Sequence, residues 1–238
     1  MEKILEDEDT SEVLRVQWDA LPDYVQGSAD FLVMADVSGS MIGRPMASSV
    51  GLAIYFAERN TGAYHNLFMT FSEKPQIVEL KGSNIFEKVT LVNNADWGYN
   101  TDFEAAMKLV LDVAVRNQCK QEELPKALIC VTDMEFDRAS NQTDRITYYE
   151  HVQKMFRDAG YDDAPTLVLW NVASRHDIFH ADSADQGVIM ISGQSAGTFE
   201  NLVRFLNSDK RMTATDFMYQ VLNAERYQMV QLPEGFDC

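Results

Sequence analysis

The chain has 238 residues, of which 46% are hydrophobic and 24% charged, and this suits one sizeable globular domain. Its formal net charge is −17 and it has no run of Lys or Arg, which argues against direct binding to DNA or RNA. No apolar stretch approaches the ~18 residues of a membrane span, and the N-terminus lacks the apolar core of a signal peptide.

Strands and helices alternate along most of the chain, after an acidic N-terminal arm (residues 1–30) that we expect to pack on the main domain. Short continuous apolar runs predict buried strands, and apolar residues at helical spacing predict helices. In chain order the predicted elements are helix Ser11–Ala20, strand Phe31–Asp36, helix Pro45–Asn60, strands His65–Phe71 and Gln76–Leu80, helices Ile85–Val92 and Phe103–Val115, strand Lys126–Thr132, helix Thr143–Asp158, strands Thr166–Val172 and Gly187–Ser192, and helices Thr198–Leu206 and Thr215–Ala224.

This alternation predicts an α/β fold in which a doubly wound, mostly parallel sheet carries helices on both faces. The turn SEKP joins His65–Phe71 to Gln76–Leu80, so these two strands should form an antiparallel hairpin at one edge of the sheet. No linker or internal repeat interrupts the pattern, and residues 31–238 are therefore expected to form one domain.

Polar residues follow the predicted strands at the places where a parallel sheet binds ligands. Asp36, Ser38 and Ser40 follow the first strand, Thr101 precedes the Phe103 helix, and Asp133 follows KALICVT. Two carboxylates and three hydroxyls form a hard oxygen set, which suits Mg²⁺, or Mn²⁺ or Ca²⁺, and not zinc or copper. The carboxylates roughly neutralise a divalent ion, and the neutral hydroxyls leave it able to take an outside ligand.

The same residues resemble the metal-ion-dependent adhesion site (MIDAS) of von Willebrand factor type A (vWA) domains. The resemblance lies in Asp36-x-Ser38-x-Ser40, in Thr101 within a G-x-N-T-D loop, and in Asp133 at the end of an apolar strand. DVSGSM with VTDMEFD is most similar to the type A domain of Ro-type ribonucleoproteins and of a related, poorly characterised intracellular family.

This resemblance implies a role for each residue. Ser38 and Ser40 would bind the metal directly, Thr101 directly or through water, and Asp36 and Asp133 mainly through water. One coordination position would remain for an acidic residue of a partner protein. Ro-type proteins bind RNA largely through a helical region ahead of this domain, and we expect no such region before Phe31, so RNA binding is not carried over.

Each motif also has a purely structural interpretation. Asp and Ser favour turns and helix starts, and Thr101 to Glu104 fits a capping box for the following helix. The sequence GQSAG (193–197) fits a hydrolase nucleophile elbow, but all four histidines precede its serine, which is the wrong order for that fold. His176 and His180 have the spacing of a zinc pair on a helix, although such pairs are more often structural or on the surface.

We therefore expect a divalent-metal-dependent protein-binding module and not an enzyme. Two alternatives stay open: a metal-dependent phosphohydrolase-type enzyme, and a metal-free scaffold with the type A fold. The three cysteines are odd in number and far apart, which indicates a reducing compartment, and we expect a cytoplasmic protein that is monomeric when isolated and does not bind membranes.

Overall fold

The computed structural model describes residues 8–25, 31–71, 74–95, 103–133, 143–173, 187–193 and 196–206, with positions 215, 218, 219, 222 and 223. Two short 3₁₀ turns cover Gly39–Met41 and Gln121–Glu123. The helices and strands are α1 (Glu8–Asp19), β1 (Phe31–Ala35), α2 (Arg44–Arg59), β2 (Leu67–Thr70), β3 (Ile77–Glu79), α3 (Ile85–Asn93), α4 (Phe103–Arg116), β4 (Ala127–Thr132), α5 (Thr143–Asp158), β5 (Thr166–Asn171), β6 (Val188–Ser192) and α6 (Ala196–Leu206).

The six strands form one sheet in the order β3-β2-β1-β4-β5-β6. Every neighbouring pair is parallel except β2 and β3, which form the antiparallel edge hairpin. The strand order reverses between β1 and β4, and ligands of such sheets bind at that point, beyond the carboxyl ends of the strands. The predicted doubly wound α/β fold is confirmed.

Both faces of the sheet are covered by helices. Residues of α2, α3 and α6 pack with Phe31, Val33 and Ala35 on one face, while residues of α4 and α5 pack with Leu32 and Met34 on the other. All five residues of β1 are buried. Burial on two sides explains why β1 reads as a continuous apolar run and does not alternate with polar residues.

The N-terminal arm packs against α2. The Trp18 ring meets the edge of Tyr55 with 6.3 Å between ring centroids, and its Nε1 donates to Glu58 Oε2 at 3.0 Å. The Arg59 guanidinium carbon lies 3.9 Å from the Tyr55 ring centroid, and the Tyr55 hydroxyl donates to the Pro22 carbonyl. These contacts hold the arm on α2, while the division of the chain at residue 30 stays a prediction.

Helix ends differ slightly from the predicted ones. α1 begins at Glu8, not Ser11, and α6 begins at Ala196, not Thr198. Of the predicted helix Thr215–Ala224, the described positions 215, 218, 219 and 222 are helical. Within the described ranges, no helix combines the length and the apolar character needed to cross a membrane. Cys119 and Cys130 are both free thiols.

Asn60 completes the hydrogen bonding of β1 where its neighbour β2 does not reach. Its side chain is buried, accepts from Phe31 N at 3.2 Å, and donates to the carbonyls of Phe31 at 2.6 Å and Tyr64 at 3.2 Å. β2 pairs with β1 only at Met34 and Ala35. The amide of Asn60 therefore satisfies the backbone of Phe31 on the side that faces β2.

Replacing Asn60 with Leu should lower the free energy of unfolding by about 2–4 kcal/mol, because buried backbone groups of Phe31 and Tyr64 would lose their partners. Urea denaturation measures the change. The matched control is Asn117→Leu, since Asn117 is exposed and, among the described residues, its side chain bonds only to Val113 O one helix turn earlier. Equal effects of the two substitutions would contradict this role of Asn60.

Candidate metal centre

Asp36 and Asp133 lie side by side at the carboxyl ends of two neighbouring parallel strands. The register pairs Ala35 with Val131, and the Asp36 amide continues the ladder by donating to Val131 O at 3.0 Å. Each aspartate is the first residue after its strand, and each is only 2% exposed. Two carboxyl groups are thus buried together at the reversal point of the strand order.

Two hydrogen bonds hold the carboxyl group of Asp36. Its Oδ1 accepts from Ser38 N at 2.8 Å, and its Oδ2 accepts from Thr132 Oγ1 at 2.7 Å. Burial raises the pKa of Asp36, and the charge of Asp133 adds to this, while the bonds from Ser38 and Thr132 oppose it. The ionised carboxylate is therefore held in one orientation at an electrostatic cost.

The turn after β1 brings two hydroxyl groups together. Ser38 Oγ and Ser40 Oγ are 3.1 Å apart, and both residues are half-buried. The Met41 side chain is fully buried and anchors the turn in the core, and its amide donates to Ser38 O at 3.0 Å. The serine spacing therefore places both side chains on one side of a short anchored turn.

Asp133 presents a second carboxylate to the same region. Its Oδ2 is buried and accepts no hydrogen bond from the described residues, although the residue makes other polar or electrostatic interactions. The repulsion between its charge and that of Asp36 contributes to the raised pKa of Asp36. A cation near both groups would relieve that repulsion.

Four of the five predicted ligands, Asp36, Ser38, Ser40 and Asp133, lie in the described part of the chain and gather at one edge of the sheet. The fifth, Thr101, lies outside the described residues. His176, His180 and Ser195 also lie outside them, so the structure does not test the zinc and hydrolase alternatives that the sequence disfavours. Gly193, the first residue of GQSAG, accepts from Trp170 Nε1 at 2.7 Å through its carbonyl, which is a structural role.

Sequence reasoning missed Thr132, which is fully buried and orients Asp36. Thr132 is the last residue of β4, and β-branched residues are common in strands, so its residue type alone gave no reason to assign it a role in the site. The available signal was its place directly before Asp133, on the strand next to the one that ends at Asp36. A polar residue at a fully buried strand position must satisfy its hydroxyl, and a carboxylate across the strand pair does so.

The distance between the two serine hydroxyls can be compared with the geometry of a hard cation. Around Mg²⁺, with ligands at 2.0–2.1 Å in octahedral geometry, adjacent oxygens stand roughly 3 Å apart, close to the Ser38–Ser40 separation. Across the residues that the structure describes, no group of three or more His, Cys, Asp and Glu forms a metal cluster. A cation at this edge would therefore depend on serine hydroxyls as well as carboxylates.

Comparisons with known proteins give a family but no activity. Residues 30–231 match the model of a domain of unknown function, DUF7788. Uncharacterized protein L728 of Acanthamoeba polyphaga mimivirus is 36% identical over 196 residues, which cover 81% of this chain and 34% of that protein. This chain thus spans about a third of the length of that relative.

A solved structure, that of the SpRpn10 VWA domain, superposes with a TM-score of 0.43 and 13% identity, covering 74% of this chain and 94% of the other. At that level of similarity the superposition carries no argument about this protein. The fold assignment depends on the strand order and register described above.

In the presence of chelator, Asp36→Asn should raise the free energy of unfolding at neutral pH, because it removes a buried charge. The amide can still accept from Ser38 N and can donate to Thr132 Oγ1. A carboxyl whose folded-state pKa is raised stabilises the fold below its ordinary pKa and loses that contribution as pH rises through the folded pKa. The advantage of Asn should therefore shrink towards zero in acid.

Urea denaturation of both proteins over a pH series measures this advantage. The control is Asp158→Asn, because Asp158 is exposed and lies at the last residue of α5. If Asp36→Asn were less stable than wild type at every pH, burial of the Asp36 charge would not determine the contribution of this residue to the free energy of unfolding.

Thr132→Val should lower the free energy of unfolding by about 1–3 kcal/mol at neutral pH, because Asp36 Oδ2 loses a buried donor while the side chain keeps its shape. Thr132→Ser keeps the hydroxyl and loses only a methyl group, so it should regain the bond to Asp36. Differential scanning calorimetry of the two variants with chelator separates the effect of the lost hydrogen bond from that of the lost methyl group. A Ser variant less stable than the Val variant would indicate that packing, and not the hydrogen bond, is the role of Thr132.

Proposed function

This chain belongs to the DUF7788 family of domains of unknown function, and we propose that it binds a divalent cation and uses it to hold an acidic group of a partner protein. Asp36, Ser38, Ser40 and Asp133 would hold the ion, together with Thr101. Mg²⁺ is the ion that we propose first, with Mn²⁺ and Ca²⁺ as substitutes of the same hard character. The proposal assigns the chain a binding role and no chemical step.

The observation that carries the proposal is the gathering of carboxylate and hydroxyl oxygens at one edge of the sheet. Two aspartates from adjacent strands are 2% exposed there, and the two serine hydroxyls lie 3.1 Å apart. Two carboxyl groups buried close together make it costly to ionise both. A divalent cation beside them would lower that cost, which supports a binding site for such an ion.

The donor set also explains why the ion would stay available to a partner. Two carboxylates neutralise the charge of one divalent ion, and hydroxyls add oxygen ligands without adding negative charge. Both oxygens of Asp36 already accept hydrogen bonds, which favours contact with the ion through water. An ion held in this way keeps the ability to attract a further carboxylate, and the resemblance to vWA domains points to the same use.

The matched family and the mimivirus relative do not indicate which partner this chain would bind. The mimivirus protein is uncharacterised and about three times as long as the matched segment, so its activity cannot be transferred. The proposal therefore depends on the site residues of this chain and on their resemblance to the adhesion site of vWA domains.

Addition of Mg²⁺ should raise the stability of the wild-type protein in a saturable way. At a free concentration about a hundred times the dissociation constant, the gain in unfolding free energy should be about 2.7 kcal/mol. Thermal unfolding with and without Mg²⁺ gives the gain, and isothermal calorimetry gives the dissociation constant. Mn²⁺ and Ca²⁺ titrations then rank the ions.

Two variants separate specific binding from attraction to an acidic surface. Asp36→Asn removes one charge, whereas the double variant Ser38→Ala/Ser40→Ala keeps every charge and removes only the two hydroxyls. Both should lose most of the Mg²⁺-dependent gain, and Asp158→Asn should keep it. Saturable stabilisation that survives in both site variants would refute the site.

A further inference from the structure

One large apolar side chain stands in solvent beside the candidate metal centre. Ile42 is 71% exposed, the highest value among the large apolar side chains of the described residues. It lies two positions after Ser40, on the segment that also carries Ser38. Single exposed apolar residues are common on protein surfaces and need no explanation, so its meaning depends on what surrounds it.

The backbone holds Ile42 at this position. Met41 is fully buried directly before it, the Ile42 amide donates to Gly39 O at 3.4 Å, and Gly43 follows with φ at +96°. A φ in that range favours glycine, so the bend after Ile42 depends on a residue that few others can replace. The turn therefore keeps Ile42 outside the core while its neighbour is anchored within it.

A basic residue follows at a position that works against helix stability. Arg44 is the first residue of α2, where the positive end of the helix dipole disfavours a cation. The first turn of α2 contains no acidic residue, and the Gly43 cap offers no side chain to the helix amides. Arg44 is exposed and forms no ion pair with another described residue.

Charge and apolar surface therefore occur together beside an acidic pair. The chain as a whole carries a net charge of −17, so most of its surface repels an acidic partner. Arg44 and the bare amino end of α2 add positive charge close to the two aspartates, and Ile42 adds an apolar contact. Such a combination matches a ligand that is acidic and apolar within a few residues.

We infer that Ile42 and Arg44 form the outer contact surface of the site, and that the partner segment is a peptide in which an apolar side chain lies close to the ion-binding carboxylate. The inference rests on the proposed function, because the carboxylate of that segment would bind the ion. It adds a selectivity that the ion alone does not have. A carboxylate without an apolar neighbour would bind more weakly.

A phage-displayed library of short random peptides provides the probe. Selection on the wild-type protein in Mg²⁺, with elution by chelator, should enrich sequences in which Asp or Glu lies within a few positions of an apolar residue. The enriched peptides are then synthesised, and fluorescence anisotropy measures their affinities for purified variants. Ile42→Ser should weaken binding about tenfold, as expected for the loss of a part-buried apolar contact.

Two control variants make the result specific. Ile42→Leu keeps the apolar contact and should restore most of the affinity. Val115→Ser removes another exposed apolar side chain, which is 50% exposed. Val115 lies near the carboxyl end of α4, and the chain runs from there to the amino end of β4, away from the candidate metal centre. This substitution should therefore leave the affinity unchanged. Arg44→Gln should weaken binding more at low salt than at high salt, because the contact is electrostatic.

The outcomes separate this inference from the function on which it depends. Absence of saturable Mg²⁺ binding in calorimetry would refute the proposed function and the inference with it. Normal Mg²⁺ binding with enriched acidic peptides that show no apolar preference would overturn the inference alone, whereas normal Mg²⁺ binding with no enriched peptide would overturn both the inference and the capture of a carboxylate by the ion. Equal losses in Ile42→Ser and Val115→Ser would also overturn it, because the effect would not be local to the turn.

Discussion

The parallel pairing of β1 with β4 is the constraint on which the site depends. Because Ala35 is in register with Val131, β4 extends only one residue beyond the end of β1, and the polar residues that follow the two strands lie close together. The ladder extends one step further through the Asp36 amide, and the Thr132 hydroxyl then ties the Asp36 carboxylate across the gap. A slip of this pairing by one residue would move every side chain of β1 to the other face of the sheet.

The stability of the fold and the charge of the site oppose each other. Burial of Asp36 and the nearby charge of Asp133 both disfavour the ionised carboxylate, and surrounding hydrogen bonds only partly offset this. Proteins commonly keep such local costs at functional sites and recover the stability elsewhere. Here the recovery comes from two apolar layers that cover the sheet on both faces.

Much of the fold could be predicted because two-sided burial leaves a simple pattern in the sequence. FLVMA and ALICVT are continuous apolar runs, and their following aspartates mark the ends of the strands. The structural role of Asn60 could not be predicted, since it depends on where β2 stops reaching β1. The role of Thr132 could not be predicted for a similar reason. Its partner Asp36 is far away in the sequence, and only the register of β1 and β4 brings the two side chains together. The place of Thr101 relative to the other ligands stays a prediction.

α2 connects the candidate metal centre with the N-terminal arm. Its first residue follows the turn that carries Ser38 and Ser40, and its last turns carry the residues that hold Trp18. At 1.5 Å per residue, the 16 residues of this helix span about 24 Å. A short peptide bound at the candidate metal centre would not reach the arm. A folded partner with an ordinary footprint about 30 Å across could contact both the candidate metal centre and the arm. Under the proposed function, contacts with the arm would therefore be open to a folded partner and closed to a short peptide.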